Sequence, residues 1–141
     1  MERGKSRLAE LPMFDHEKLK VYQTAIRFIG WKTKTLASSN IYNDIYNQLD
    51  RAATSIPLNI AEGNGKSYLK DRRRYFEIAR GSALECAACL DVLLAMGKLD
   101  SDSVVAGKAL LMEIVKMLSR LVTNLSNQIK EEIPEYEIET D

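Results

Sequence analysis

The chain has 141 residues, of which 45% are hydrophobic and 28% charged, with 7 Gly and 3 Pro. That length can bury the core of one domain without disulfide bonds, and the composition favours helices. No apolar run approaches the roughly 18 residues of a membrane-spanning helix. The first residues lack the apolar stretch of a secretory signal, and two cysteines suit a reducing compartment. We therefore expect a cytoplasmic protein without a membrane partner.

The formal net charge of zero hides an uneven distribution. Twenty basic residues balance 20 acidic ones, but residues 131–141 contain six acids and no base. Residues 1–130 therefore hold 20 basic and 14 acidic residues, a net charge of +6. We expect a flexible extension over 1–13, a folded unit over 14–130 and a disordered acidic tail over 131–141. The tail either competes with nucleic acid for the basic surface or simply keeps the chain soluble.

Apolar residues at steps of three and four predict two helices in the first half. The first helix is expected over residues 16–36 with Asp15 as its N-cap, and the second over 41–62, ended by residues 63–65. Pro57 lies inside the second helix, where it removes a hydrogen bond and is expected to kink the axis. The buried stripes are predicted to be Leu19, Tyr22, Ile26 and Ile29, then Ile41, Ile45, Leu49, Ala52, Ile56 and Ile60.

Two more helices complete the pattern. The third is expected over residues 67–96 with Ser67 as its cap, and Gly97 ends it. The cluster at residues 100–103 caps the fourth helix, which ends before Pro134. The predicted inward residues are Phe76, Ala79, Ala83, Cys86, Leu90 and Leu93, then Leu110 or Leu111, Ile114, Leu118, Leu121, Leu125 and Ile129. The fold class is all-α, an up-down antiparallel four-helix bundle.

No pattern of catalytic or metal-binding residues accompanies these helices. His16 is the only histidine, which excludes the usual triads and di-iron sites. Cys86 and Cys89 lie in the middle of a predicted helix, and we expect both to be core residues. The run at residues 63–67 ends in Gly-Lys-Ser but lacks the earlier glycine of a phosphate loop. We expect no enzymatic activity, no metal and no cofactor.

A basic cluster is the strongest chemical feature. Residues 66–80 contain six basic residues and only two acidic ones, Asp71 and Glu77. Arginine suits phosphate oxygens, and Tyr68 and Tyr75 offer stacking surfaces for unpaired bases. The alternative is a solvated face with helical ion pairs such as Arg73 to Glu77. The basic residues are Lys66, Lys70, Arg72, Arg73, Arg74 and Arg80.

A set of polar residues shares one face of each middle helix. The spacing favours two interpretations equally: a buried network or subunit contact that fixes register, or an exposed helix face. The set comprises Ser55, Asn59 and Glu62 on the second helix and Ser82 and Glu85 on the third.

Three segments resemble a known family. They are residues 48–63 (QLDRAATSIPLNIAEG), residues 75–85 (YFEIARGSALE) and residues 116–121 (KMLSRL). They resemble the bacterial four-helix-bundle proteins encoded within intervening sequences of large-subunit ribosomal RNA genes. The resemblance spans about residues 14–126. It also extends to the accessory variability determinant of diversity-generating retroelements, a basic ring-forming protein that works with a reverse transcriptase.

The resemblance implies a bundle that assembles into a homopentameric ring and binds RNA, or RNA with DNA. It makes Ser55, Asn59, Glu62, Gly63, Ser82 and Glu85 family motif positions. It favours Arg51, Lys66, Arg73, Arg74 and Arg80 as nucleic-acid contacts. Asp50 stands where the family often has arginine, which makes the surface around Arg51 less basic.

The preferred function is therefore a non-enzymatic, oligomeric nucleic-acid-binding bundle. The first alternative is a retroelement accessory protein whose main partner is a reverse transcriptase. The second is a structural or protein-interaction bundle without a nucleic-acid role.

Overall fold

A computed structural model of the chain describes residues 13–37 and 44–132. A short 3₁₀ helix, Asp15–Lys18, precedes four α-helices. These are α1 (Lys20–Thr35), α2 (Asp44–Gly65), α3 (Leu69–Ala95) and α4 (Ser101–Glu132). No strand occurs within the described ranges, so the all-α class is confirmed.

The four helices form an antiparallel bundle in which α1 and α3 each pack against α2 and α4. Short connections force each helix to run back along the previous one. The hydrogen bonds of α2 with α3 show this direction directly. Ser55 contacts Ser82, whereas the earlier Gln48 contacts the later Glu85.

Helices α3 and α4 keep a constant register over much of their shared length. Three side-chain pairs join them: Arg73 with Ser126, Arg80 with Ser119, and Asp91 with Lys108. A step of seven or eleven residues along α3 is matched by an equal step back along α4. Seven and eleven residues are close to whole numbers of helical turns, so the three pairs follow one side of the interface.

The core matches the predicted stripes of α2, α3 and α4. Every predicted inward residue of α3 is buried, and in α2 the described stripe from Leu49 to Ile60 is buried while Ile45 is half-buried. In α4, Leu121 is only half-buried, and Val122 is buried beside it. Helix α2 continues through the buried Pro57, and the kink expected there stays a prediction.

In the predicted stripe of α1, Leu19, Tyr22 and Ile29 are half-buried against the core, and only Ile26 is wrong. Ile26 is 45% exposed, and the buried apolar residues are Val21, Ala25 and Phe28. Apolar residues surround much of this helix, so its spacing alone does not select one face. The face is selected by α4, against which Trp31 packs beside Gly107.

Two predicted helix caps are also wrong, and one is confirmed. Asp15 begins the 3₁₀ helix, and Leu19 is the N-cap of α1. Tyr68, not Ser67, precedes α3. Asp100 caps α4 by accepting a 2.7 Å hydrogen bond from the Ser103 N–H.

The predicted acidic tail, residues 131–141, is partly helical. Helix α4 continues to Glu132, so the first two acids of the predicted tail are helical. The rest of the tail, the extension before residue 13 and Ile41 lie outside the described residues. Among the helices that are described, none combines the length and apolar character needed to cross a membrane.

Gly107 provides the space that Trp31 occupies between α1 and α4. A Cβ added at Gly107 would lie 2.7 Å from Trp31 Cζ3 and 2.8 Å from Leu90 Cδ1. Leu90 is fully buried, and Trp31 stacks on the buried Phe28 ring at 5.6 Å. Neither neighbour can move away without disturbing the core.

We expect Gly107→Ala to lower the free energy of unfolding by about 1–2 kcal/mol, because overpacking outweighs the better helix propensity of alanine. Gly30→Ala is the matched control, since a Cβ there meets no atom within 4 Å. That control should be neutral or stabilising by up to about 1 kcal/mol. Urea unfolding followed by circular dichroism measures both. Equal stability of the two variants would contradict the packing described for Trp31.

Candidate nucleic-acid interface

Two arginines of α3 lie over serines of α4. Arg73 Nη1 donates to Ser126 Oγ at 3.2 Å, and Arg80 Nη1 donates to Ser119 Oγ at 3.4 Å. The two pairs are separated by two helical turns, about 10 Å along the axis. We call these four residues the Arg–Ser groove.

Within residues 13–37 and 44–132, no carboxylate neutralises the positive charges of the Arg–Ser groove. Neither arginine forms an ion pair with a described residue. Glu77 shares their side of α3 but pairs with neither, so the predicted ion pair of Arg73 with Glu77 is not formed. Each guanidinium has five N–H donors, and a serine hydroxyl uses only one of them. Both side chains are half-buried, and the residues that the structure describes leave several of their donors for an anion.

The next pair along the same interface shows a different arrangement. Lys108 Nζ lies 2.5 Å from Asp91 Oδ1, so this cation has its own carboxylate. On the opposite side of α4, Arg27 lies 3.8 Å from Glu113. Arg73 and Arg80, which form no ion pair with a described residue, lie toward the end of the bundle that holds the α2–α3 turn.

Arg72 points away from the Arg–Ser groove and closes the α2–α3 turn. Its Nη1 group donates to the carbonyl oxygens of Asn64 at 3.0 Å and Lys66 at 3.1 Å. A cation here also compensates the negative end of the α2 dipole. This position gives Arg72 a structural role.

The remaining predicted cations lie on other sides of the bundle. Lys66 Nζ lies 3.7 Å from Glu62 and 5.5 Å from the centre of the Tyr75 ring. Arg74 covers the same ring at 4.8 Å, an arrangement stabilised by cation–π attraction. Lys70 and Arg51 are exposed. The seven predicted contacts thus surround one end of the bundle and part of α2, and do not converge on one point.

The polar motif residues form a half-buried network between α2 and α3. Ser82 Oγ donates to Ser55 Oγ at 2.8 Å, and Asn59 Nδ2 donates to the Ser55 carbonyl oxygen at 2.8 Å. Gln48 Nε2 donates to Glu85 Oε1 at 3.3 Å. These hydrogen bonds join the two helices, but Glu85 is exposed, so neither interpretation of the spacing describes the whole set. Glu62 lies outside it and pairs with Lys66.

Gly63 lets the ends of α2 and α3 approach closely. A Cβ added there would lie 3.0 Å from Tyr75 Cβ and 3.0 Å from Phe76 Cε1. The motif glycine thus fixes the start of α3 against α2, which positions the arginines that follow.

Sequence reasoning missed the two serines of the Arg–Ser groove. Ser119 and Ser126 are seven residues apart, as are Arg73 and Arg80. Equal heptad spacing on two adjacent antiparallel helices is a signal that could have suggested pairing. Choosing these serines required the register of α4.

The cysteines lie in the core, as predicted. Cys86 is fully buried and Cys89 nearly so. Burial, with a smaller effect of the neighbouring Cys89, raises the pKa of the Cys86 thiol to about 12. Burial likewise raises the pKa of Cys89, aided by Glu85. Raised thiol pKa values oppose nucleophilic chemistry. Among the described residues, no group of three or more His, Cys, Asp or Glu is placed to hold a metal ion.

Comparison with known proteins gives one family and one structural neighbour of note. The family model described as 23S rRNA-intervening sequence protein matches residues 17–120. A crystal structure of a protein of unknown function from the S23 ribosomal protein family of Bacteroides thetaiotaomicron superposes with a TM-score of 0.64. It is 23% identical over 73% of this chain and 94% of that chain, a likeness of fold. No curated protein matches the chain.

For the Cys86 thiol we expect an effect on stability at alkaline pH. The unfolded thiol ionises near pH 9 and the folded one near pH 12, so the stability contributed by the neutral thiol is lost as pH rises between these values. The loss is up to about 1.4 kcal/mol per pH unit. Urea unfolding at pH 8, 9 and 10 should show a steeper decline for wild type than for Cys86→Ala. Parallel declines would contradict the burial of this thiol.

Proposed function

We propose that this chain, which belongs to the 23S rRNA-intervening sequence protein family, is a non-enzymatic protein that binds structured RNA, or RNA with DNA, through the Arg–Ser groove. The observation that carries the proposal is the pair of half-buried guanidinium groups whose only described side-chain partners are serine hydroxyls. Two fixed cations two helical turns apart offer repeated anchoring points to a phosphate backbone.

The physical argument rests on donor geometry and desolvation. A guanidinium presents planar paired donors that match phosphate oxygens, and the serine holds that plane in place. A cation already paired with a carboxylate, such as Lys108, must break that pair before it binds phosphate. Arg73 and Arg80 form no ion pair with a described residue, so no such pair has to be broken before they bind phosphate. Contacts of this kind read the backbone, so binding should be salt-sensitive and weakly dependent on sequence.

Self-association forms part of the same proposal. Ile78 of α3 is 41% exposed and lies one helical turn before Ser82, which is hydrogen-bonded to Ser55. An apolar surface around a satisfied polar pair suits a contact between copies of the chain. A closed ring, five-fold as the resemblance implies, would repeat the Arg–Ser groove on each subunit and make weak contacts multivalent.

The double variant Arg73→Ala/Arg80→Ala tests the proposal. We expect its affinity for a structured RNA to fall at least tenfold, because two phosphate contacts are removed. The slope of log K against log salt should fall by about 2 for each copy of the groove in contact with the RNA. Fluorescence anisotropy at 50–200 mM salt measures both quantities. Sedimentation velocity on the same samples checks that the variant keeps the assembly state of wild type.

Arg27→Ala is the matched control. It removes the same side chain and charge from the α1–α4 side, where Arg27 already pairs with Glu113. Its affinity and salt slope should stay within about twofold of wild type. Equal losses in Arg27→Ala and the double variant, or wild-type binding by the double variant, would refute the Arg–Ser groove as the binding surface.

A further inference from the structure

Three aromatic side chains form a ladder where the 3₁₀ helix meets α1. The rings of Phe14 and His16 stack at 5.9 Å with 5° between their planes, and His16 meets Tyr22 edge-on at 4.7 Å. Phe14 is 74% exposed. His16 covers one side of the Phe14 ring, and most of the remaining surface is open to solvent.

The backbone around Phe14 is held in place despite this exposure. The Phe14 N–H donates to Glu17 Oε2 at 2.6 Å. The neighbouring Asp15 accepts a 2.9 Å hydrogen bond from Asn64 Nδ2 at the end of α2. These hydrogen bonds fix the backbone that carries the ring, so a ligand that stacks on Phe14 does not have to order this part of the chain.

A groove continues from the ladder across α2. It is open to solvent and measures about 470 Å³. Leu58, 60% exposed, and Ala61 give it an apolar wall. We call it the aromatic groove, because His16 of the ladder lines it. Its lining comprises His16, Leu58, Ala61, Glu62, Gly65 and Lys66.

The charges around the aromatic groove suit a neutral planar group better than a phosphate. Glu62 is part of the lining, and the carboxylates of Asp15 and Glu17 lie beside Phe14. Phosphate would be repelled by these groups. A nucleobase has no charge, stacks on aromatic rings and can donate amino hydrogens to a carboxylate.

Several basic side chains lie between the aromatic groove and the Arg–Ser groove. Lys66 at its edge and Arg74 of α3 both lie against the Tyr75 ring, at 5.5 and 4.8 Å. Arg73, the next residue back along α3, belongs to the Arg–Ser groove on the α4 side. A strand whose phosphates follow these cations would bring an unpaired base to Phe14.

We propose that the aromatic ladder binds an unpaired nucleobase of an RNA whose phosphates lie on the Arg–Ser groove, with the base stacked on the exposed Phe14 ring beside the aromatic groove. This inference rests on the proposed function and adds the class of RNA: a duplex with an unpaired extension, in preference to a blunt duplex. Stacking is sequence-tolerant, so the extension need not have a defined sequence.

Three RNAs with one common stem test the inference. The first is blunt, the second has a single-stranded extension of six nucleotides, and the third has the same extension made of abasic nucleotides. The second and third carry the same phosphates and differ only in their bases. For wild type we expect the extension with bases to bind about tenfold more tightly than the abasic one.

Phe14→Leu is the decisive variant, because it keeps an apolar side chain and removes the ring. It should bind the abasic and base-containing extensions equally, while its affinity for the blunt stem stays at the wild-type value. Phe14→Tyr should keep the preference for bases. Val105→Ala is the matched control, since it shortens another exposed apolar residue (68% exposed) at the α3–α4 end of the bundle, and should behave like wild type.

The outcomes separate this inference from the proposed function. Equal wild-type affinity for abasic and base-containing extensions, or an unchanged preference in Phe14→Leu, overturns the base site and leaves stem binding through the Arg–Ser groove intact. Failure of all three RNAs to bind overturns the proposed function itself. A lower sedimentation coefficient for Phe14→Leu, with equal losses for all three RNAs, would assign the aromatic groove to a contact between copies and overturn the inference.

Discussion

The register between α3 and α4 is the constraint on which the functional surface depends. Small and medium-sized buried residues, from Ala79 and Ala83 to Cys86, line the inward face of α3. Their packing fixes how α4 lies along it, so Arg73 and Arg80 meet hydroxyls while Asp91 meets Lys108. A shift of one helical position would turn the serines away from the arginines. The packing of buried residues between α3 and α4 thereby determines which polar side chains meet on the surface.

This register separates cations that are close in sequence. At 100° per residue, consecutive arginines point to different sides of a helix. Arg72 closes the α2–α3 turn, Arg73 reaches α4, and Arg74 covers Tyr75. Three neighbouring residues thus stabilise a turn, line a groove and lead toward the aromatic groove. The basic cluster of residues 66–80 is therefore not one surface, and its net charge does not show where the individual cations lie.

The sequence predicted the four helices and the inward faces of α2–α4 because their apolar residues repeat along single stripes. It failed for Ile26 of α1, because apolar residues surround much of this helix and the packing of Trp31 beside Gly107 is not visible in the spacing. The predicted Ser67 cap failed because α3 begins at Leu69, which places Tyr68 at the N-cap position. The divergence of the arginines followed from helix geometry, but their partners Ser119 and Ser126 required the three-dimensional register.

Arginine footprinting tests the central claim most directly, because it reports on each guanidinium in the unmodified chain. The protein is treated with phenylglyoxal with and without a structured RNA, and the modification of each arginine is measured by mass spectrometry. The account predicts that RNA strongly protects Arg73 and Arg80 and leaves Arg27, on the α1–α4 side, unchanged. Unaltered modification of Arg73 and Arg80 in the RNA complex would contradict it.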